Sequence, residues 1–454
     1  MRVHFIAIGG SAMHNLAIAL HKKGYKVTGS DDEIFEPSRS RLQKYGLLPE
    51  KQGWNPDIIT QDIDAIILGM HARKDNPELQ KALGAGLKVY SYPEYLYEQT
   101  KNKKRIVIGG SHGKTTITSM VMHVLRSTGV KFDYMVGAQL EGFDTMVNLE
   151  EDNEIAVFEG DEYLSSPIDL TPKFLWYKPH VALLSGIAWD HINVFPTWEN
   201  YLEQFSKFAG TIKDNGTLVY YSGDPELVKI AEKQERRIKT IPYSEMEHTV
   251  SDGKTIVQFN DKNYPLNIFG DHNLQNLNGA RLVCNTLGIN DEIFLDAMQS
   301  FKGAAKRLQL LESAGNCNIW LDFAHSPSKL KATTQAVKSQ YPDRELVACM
   351  ELHTFSSLNK KFLPHYKGTM DAADRAFVFF NPEVLEHKKL PPVTKEEVAE
   401  AFDHPGLTVF TDSGELTKEL KKINWDNKNL LIMTSGNFSG IDIKELAKSL
   451  IPSR

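Results

Sequence analysis

The segment Gly110-Ser111-His112-Gly113-Lys114-Thr115-Thr116 constrains this chain more than any other. It follows a short apolar run, Ile106-Val107-Ile108, and opens a helical stretch. Glycines at a strand–helix junction let backbone N–H groups approach an anion, and the helix N-terminus adds a favourable field. Lys114 can neutralise the outer phosphates of a nucleotide, and the Thr115 hydroxyl can ligate Mg²⁺. The usual eight-residue form of such a loop would put its first glycine at Ile108, so that pattern is incomplete here. Gly110, Ser111, His112, Gly113, Lys114, Thr115 and Thr116 are therefore expected to bind phosphate.

Further candidates follow other apolar runs. Residues 155–158 run into Glu159-Gly160-Asp161-Glu162. In a parallel sheet the C-terminal strand ends share one edge, which places Glu159 to hold Mg²⁺ directly or through water. Residues 181–187 lead to Trp189-Asp190-His191, where a neutral imidazole beside an acid can take a second metal. His272-Asn273 precedes a helix expected over 273–287, with Asn276 one turn on. An Asn amide can bond a purine edge in both directions, and it can equally cap a helix. Lys306-Arg307 and Asp322-Phe323-Ala324-His325 open a later region, where Arg307 could reach phosphates and Asp322 could accept ribose hydroxyls.

Around these motifs the pattern alternates strand and helix three times, which predicts parallel sheets with crossover helices. The expected fold is α/β in three domains. Residues 1–102 form a Rossmann-like domain, and residues 103–302 a P-loop ATPase-type domain. Residues 303–454 form a second Rossmann-like domain. Short alternating strands between about 217 and 268 suggest a small antiparallel appendage on the central domain. The chain's 454 residues suit two to four domains. Its net charge of −6, without a long basic run, argues against a nucleic-acid partner. No apolar run approaches the ~20 residues that cross a bilayer. The start, MRVHFIAIGG, reads as a strand rather than a signal peptide. Cys284, Cys317 and Cys349 form no paired framework, which fits buried thiols in a reducing cytoplasm.

In their order and spacing these motifs resemble those of the Mur ligase family over almost the whole chain. The family's shortened phosphate loop matches residues 110–116, and its acidic strand end matches residues 159–162. Its D-H element matches Asp190-His191, and its H-N-x-x-N element matches His272, Asn273 and Asn276. Its K-R element matches Lys306-Arg307, and its D-[FY]-A-H element matches residues 322–325. Departures are Asn193, Ser326 and Gln309, where the family commonly has Asp, His and Glu. They bear on the amine substrate more than on the ATP chemistry. Lys207 lies near a lysine that some members carbamylate, but the register does not match and no role is assigned to it.

The resemblance implies a cytoplasmic peptidoglycan enzyme, monomeric or weakly dimeric, that uses ATP and Mg²⁺ to join a carboxylate to an amine. Lys114, Glu159 and His191 are the implied catalytic residues, with Thr115, Glu159 and His191 on the metals. Asn273, Arg307, Asp322 and His325 would complete the ATP site. Gly9, Gly10, Ser11, Asp31 and Glu162 would bind the UDP-sugar substrate. The start of the chain looks like that of members acting on UDP-N-acetylmuramate. Residues 161–163 and 433–441 look closer to the members that add a murein tripeptide than to those that add L-alanine. Two other classes compete. A dinucleotide-binding oxidoreductase domain is one, but its G-x-G-x-x-G fingerprint is broken at Ala7 and Ala12. A nucleotide- or UDP-sugar-binding regulatory protein without ligase activity is the other.

Overall fold

The computed structural model describes residues 1–189, 194–251, 253–303 and 306–451. The chain packs as two compact units, Met1–Met246 with Gln275–Met298, and Glu247–Leu274 with Gln299–Arg454.

The first unit begins with a four-stranded parallel sheet of β1 (Arg2–Ile6), β2 (Lys26–Ser30), β3 (Ala65–Leu68) and β4 (Val89–Ser91) in the order β2-β1-β3-β4. Val3, Phe5 and Ile6 in β1 and Ile66, Ile67 and Leu68 in β3 are buried, as expected of parallel strands covered on both faces. Ala7 follows β1 with a left-handed backbone, φ 68°. It supplies the turn that a glycine makes in the dinucleotide fingerprint. The helix Ser11–Lys22 starts directly after this turn.

A seven-stranded sheet follows, made of β5 (Lys104–Gly109), β6 (Phe132–Met135), β7 (Val147–Asn148), β8 (Ile155–Glu159), β9 (Val181–Leu184), β10 (Thr217–Tyr221) and β11 (Lys239–Tyr243). Its order is β11-β10-β9-β5-β8-β6-β7, and only β7 runs antiparallel. β5 thus lies between β8 and β9, so the three strand ends singled out in the sequence are neighbours. One expectation is corrected. Residues 218–221 do not start an antiparallel appendage, because β10 pairs parallel to both β9 and β11. The helix Pro225–Glu232 makes the crossover between β10 and β11. Leu218 and Val219 are buried like any central strand.

The second unit holds the appendage proper, an antiparallel sheet of β12 (Thr249–Ser251), β13 (Lys254–Phe259) and β14 (Lys262–Leu266). It also holds β15 (Gln309–Ala314), β16 (Cys317–Asp322), β17 (Glu345–Glu351), β18 (Arg375–Phe379), β19 (Leu407–Phe410) and β20 (Lys428–Met433). These form a six-stranded sheet in the order β15-β16-β20-β17-β18-β19, parallel except for β15. β15 was not foreseen. It sits at the sheet edge, and its burial is only partial, so its apolar signal is weak.

Within the first unit, the segments on either side of residue 102 are joined by side chains. Asn15 Oδ1 accepts the Met146 N–H at 2.9 Å, and Arg41 Nη2 donates to Gln139 Oε1 at 2.8 Å. The strongest anchor is Arg105 on β5, which is fully buried. Its guanidinium donates to five carbonyls, those of Tyr177, Thr100, Lys101, Lys103 and Lys178, at 2.7–3.1 Å. Burial lowers its pKa. The charge is met by peptide dipoles in the planar fork that only arginine supplies, and by the Tyr97 ring 5.0 Å away. Three of the carbonyls, from Thr100, Lys101 and Lys103, come from the end of the helix Tyr92–Thr100 and the turn that follows it. Arg105→Lys is therefore expected to cost about 2–4 kcal/mol, because most of these carbonyls lose a charged donor. Urea unfolding followed by tryptophan fluorescence would measure it, and an unchanged midpoint would contradict the anchoring role.

Candidate active site

β5 ends at Gly109, and the chain turns through Gly110 and Gly113, both left-handed at φ 126° and 77°, into the helix Lys114–Ser127. Both glycines are also required by close approach. A Cβ at Gly110 would collide with the Ser185 hydroxyl, and one at Gly113 would run into the Asn276 amide. The loop is held from β9. Ser111 N donates to Gly186 O at 2.9 Å, and the Ser185 hydroxyl donates to His112 O. Gln275 Nε2 in turn donates to Ser185 O at 2.8 Å. The N-cap residue, Gly113, brings no side chain to cap the helix, which suits its first N–H groups to a phosphate.

Lys114 folds back over this loop. Its Nζ donates to Gly110 O at 2.6 Å and to Glu162 Oε2 at 2.7 Å. Burial is the largest single influence on its pKa and lowers it, but Glu162, Asp161 and Glu159 together outweigh burial and hold the ammonium above its ordinary value. Glu162 Oε1 accepts the Tyr201 hydroxyl at 3.0 Å, which lies 2.9 Å from Ser111 Oγ. Ser111 Oγ also accepts the Ala188 N–H at 2.8 Å. A continuous chain of hydrogen bonds thus runs from Lys114 through Glu162 and Tyr201 back to the loop.

Glu159 closes the other side. Its Oε1 accepts the Thr115 hydroxyl at 3.0 Å and its Oε2 accepts the Gly137 N–H at 2.7 Å. Burial raises its pKa, against the Gly137 N–H, Lys114 and Thr115. Asp161 also feels burial first, but Lys173 and Lys114 outweigh it and lower its pKa. Lys173 Nζ bonds its Oδ2 at 2.6 Å. Thr115 and Glu159 offer hard oxygen ligands side by side at the phosphate loop. That is the donor set Mg²⁺ takes when it shares a site with nucleotide phosphates. Among the described residues no group of three or more His, Cys, Asp or Glu side chains is arranged to hold a metal alone. Asp190, His191 and Asn193 lie outside the described residues. Lys207 is half exposed and pairs with Glu203 at 3.1 Å.

Of the expected UDP-sugar residues, Gly9, Gly10 and Ser11 follow β1 and Asp31 follows β2, its neighbour in the sheet. Asp31 is buried, and its Oδ2 accepts the Gly9 N–H at 2.7 Å while Oδ1 accepts the Asp32 N–H at 3.0 Å. A Cβ at Gly9 would press on Asp31 and Ile34, whereas Gly10 has ordinary space. Ser11 is exposed, with its hydroxyl 3.7 Å from Met146 Sδ. Glu162, expected at the substrate, instead holds Lys114. His14, which the sequence reading passed over, is buried beside Gly10 O and Ser38 Oγ, at 2.9 and 3.0 Å.

The second unit carries the remaining candidates. Asn273 is buried and donates to Phe269 O at 2.9 Å. Asp322 is buried too, and its oxygens accept the Leu308 and Ala324 N–H groups, both at 2.7 Å. In this arrangement it shapes the 306–308 loop. Lys306 and Leu308 are left-handed on either side of Arg307, a conformation the surroundings must enforce. Arg307 lies 4.8 Å from the Phe323 ring centre, and His325 meets the same ring edge-on at 5.1 Å. These placements bring Arg307, Asp322 and His325 into one cluster around Phe323. Tyr201 was missed because Tyr201, Phe205 and Phe208 read as one apolar helix face, which they also form.

Two family models match the chain. "Mur ligase family, catalytic domain" covers residues 2–104, and "Mur ligase middle domain" covers residues 108–284. The chain belongs to the Mur ligase family. It is an ATP-dependent amide ligase. It is 27% identical over 451 residues to the UDP-N-acetylmuramate–L-alanine ligase of Aquifex aeolicus, covering 96% of this chain and 95% of that protein. The solved UDP-N-acetylmuramate-alanine ligase of Thermotoga maritima matches with a TM-score of 0.72 at 19% identity, over 99% of this chain and 98% of that one. The murein peptide ligase of Psychrobacter arcticus matches with a TM-score of 0.64 at 22% identity, over 100% and 99%. The solved structures establish the shared fold. Among the described residues no helix is long and apolar enough to cross a membrane.

Two predictions follow from this geometry. Tyr201→Phe removes the hydroxyl between Glu162 and Ser111, and it is expected to lower kcat/KM for ATP about tenfold, the scale of one hydrogen bond to a charged group. Steady-state ADP release would show it, and unchanged kinetics would remove Tyr201 from the site. Burial, opposed by the Gly9 N–H and aided by Asp32, raises the Asp31 pKa from 3.8 to about 6. A folded pKa above the unfolded one means that stability is fully present below about 3.8 and is lost as pH rises through about 6. Asp31→Asn keeps an acceptor for Gly9, so its stability relative to wild type should rise between pH 4 and pH 7, by at most about 3 kcal/mol. Parallel denaturation curves across that range measure the difference, and a constant offset would refute it.

Proposed function

We propose that the chain joins the carboxylate of UDP-N-acetylmuramate to an amine in a Mg²⁺-dependent reaction of peptidoglycan synthesis or recycling in the cytoplasm. The observation that carries this reading is Lys114 held at the phosphate loop opposite the Thr115–Glu159 pair. The substrate carboxylate attacks the γ-phosphorus of ATP, giving an acyl phosphate and ADP. The amine then attacks the acyl carbon, and phosphate leaves. Repulsion between two anions sets the barrier of the first step, and Lys114 offsets it by stabilising charge on the transferring group. Thr115 and Glu159, with His191 for a second ion, would hold Mg²⁺, which supplies further charge neutralisation when bound. Transfer of the Lys114 ammonium from Glu162 to phosphate keeps its charge paired throughout. Gly9, Gly10, Ser11 and Asp31 are proposed for the UDP-sugar, with Glu162 reassigned to Lys114. Asn273, Arg307, Asp322 and His325 are proposed for the nucleotide, with Asp322 acting by shaping the Arg307 loop.

For the amine we favour a peptide, L-Ala-γ-D-Glu-meso-diaminopimelate or a relative. Residues 433–441 support it, since their small residues let a substrate backbone approach closely. The second reading, L-alanine, is favoured by the names of the similar curated relatives. Phosphate release with UDP-N-acetylmuramate and a panel of amines tests both. The peptide is expected to give the higher kcat/KM, and a preference for L-alanine would overturn that choice while leaving the ligase reading intact. Lys114→Ala should lower turnover by at least ~10²-fold with the fold retained by circular dichroism. Near-normal turnover would sink the assignment of this loop to ATP.

A further inference from the structure

We propose that the second unit carries an ammonium-binding subsite, built on Glu351 and the loop of residues 434–440, that selects an amine substrate bearing a second, cationic group. The proposal rests on the reading of the chain as a ligase for a peptide amine. Glu351 ends β17, which lies between β20 and β18 near the middle of the six-stranded sheet. Ligands of open α/β sheets bind at this C-terminal edge. The residue is 3% exposed. The Thr434 hydroxyl donates to its Oε2, and its Oε1 lies 3.7 Å from His353 Nδ1, beyond hydrogen-bond length. Among the described residues no lysine or arginine pairs with it. A buried carboxylate with so much acceptor capacity unmet is costly unless a cation joins it.

The surroundings are built rather than incidental. Gly436 N donates to Thr434 Oγ1 at 2.7 Å, which turns that hydroxyl toward Glu351. A Cβ at Gly436 would come within 2.8 Å of Glu351 Oε2 and 2.9 Å of the His353 ring, so a side chain there would crowd the carboxylate. Asn381 Nδ2 donates to Ser439 Oγ at 2.9 Å, and Phe438 packs on Phe379 with ring centres 5.7 Å apart. Phe438 and Ser439 are both left-handed, at φ 49° and 57°, strain that a fixed loop bears. Two hydroxyl oxygens shielded from solvent, Ser435 Oγ and Ser326 Oγ, have no hydrogen-bond partner. They follow β20 and β16, adjacent strands whose ends share the edge with Glu351. One carboxylate, with spare hydroxyl oxygens on the same sheet edge, would offer acceptors to the N–H donors of an ammonium.

L-Alanine does not satisfy such a subsite. Its only amine must be uncharged to attack the acyl carbon, and its carboxylate would be repelled by Glu351. A peptide ending in a dibasic residue keeps a second ammonium free for recognition.

The test compares two peptides of equal length, L-Ala-γ-D-Glu-L-Lys and L-Ala-γ-D-Glu-L-norleucine, with full-length enzyme, ATP and UDP-N-acetylmuramate. The lysine peptide should have a kcat/KM about tenfold or more above the norleucine peptide, the scale of a charge-assisted hydrogen bond. Glu351→Gln, whose amide oxygen can still accept from Thr434, should bring that ratio close to one. Should that variant fail to fold, Gly436→Ala provides the second route, because its Cβ crowds the carboxylate and should also reduce the ratio. Equal use of the two peptides by the wild type would overturn the subsite and leave the peptide-ligase reading standing. A ratio unchanged in folded Glu351→Gln would do the same. Ligation of L-alanine but of neither peptide would overturn the peptide reading and the subsite together.

Discussion

A buried lysine charge organises the first unit. Lys114 is largely shielded from solvent, and such a charge persists only where anions face it. Glu162 meets it directly, and Glu159 and Asp161 add to the field. Three acids around one lysine would overcompensate, and the fold manages the surplus. Asp161 is drawn off by Lys173, and Glu159 is bonded by Thr115 and a backbone N–H. Bringing phosphate to Lys114 exchanges one anion for another, so the ammonium stays paired while Glu162 remains tied to Tyr201. The placement of β5 between β8 and β9 makes this possible, because every side-chain partner sits at one of those three strand ends or on a helix, and the Gly137 N–H comes from the loop after β6, the strand beside β8.

The parts legible in the sequence were those where chemistry and backbone demand the same residue. Gly110 and Gly113 are required by left-handed backbone and by close approach at once, so the motif was unmistakable. Glu159 was placed correctly on the sheet edge because period and polarity change abruptly after Phe158. β10 was misjudged because its short apolar run and nearby turns fit an antiparallel hairpin as well as a parallel crossover. Only the helix after it separates the two. Tyr201 could not be found by pattern, since its ring belongs to the core and only its hydroxyl enters the site.

Glu162 and Asp322 show a further limit. Each stands in a motif that suggested direct ligand contact, yet each spends its oxygens on the protein. Glu162 orients Lys114, and Asp322 bonds the N–H groups of Leu308 and Ala324. Residue type and spacing identify acceptors but not what fills them. The left-handed Lys306 and Leu308 explain why an acid is needed at 322. A loop that holds Arg307 against Phe323 on such backbone is fixed by the acceptor Asp322 gives Leu308 N–H.

The same distinction bears on the amine. Identity of 27% spread over almost the full length of a relative follows the fold and the nucleotide chemistry, which family members share whatever amine they add. By the names of those relatives it favours L-alanine, but it does not reach the residues around the amine. Solved structures of both kinds superpose over nearly the whole chain, so the backbone does not separate them either. Discrimination between amines is a difference in transition-state binding, made by a few groups around the incoming substrate. On the proposed reading those groups lie at the ends of β17 and β20, where Glu351 is a buried carboxylate. A site of that sign favours a substrate that brings its own cation, which is a property of the side chains and not of the fold.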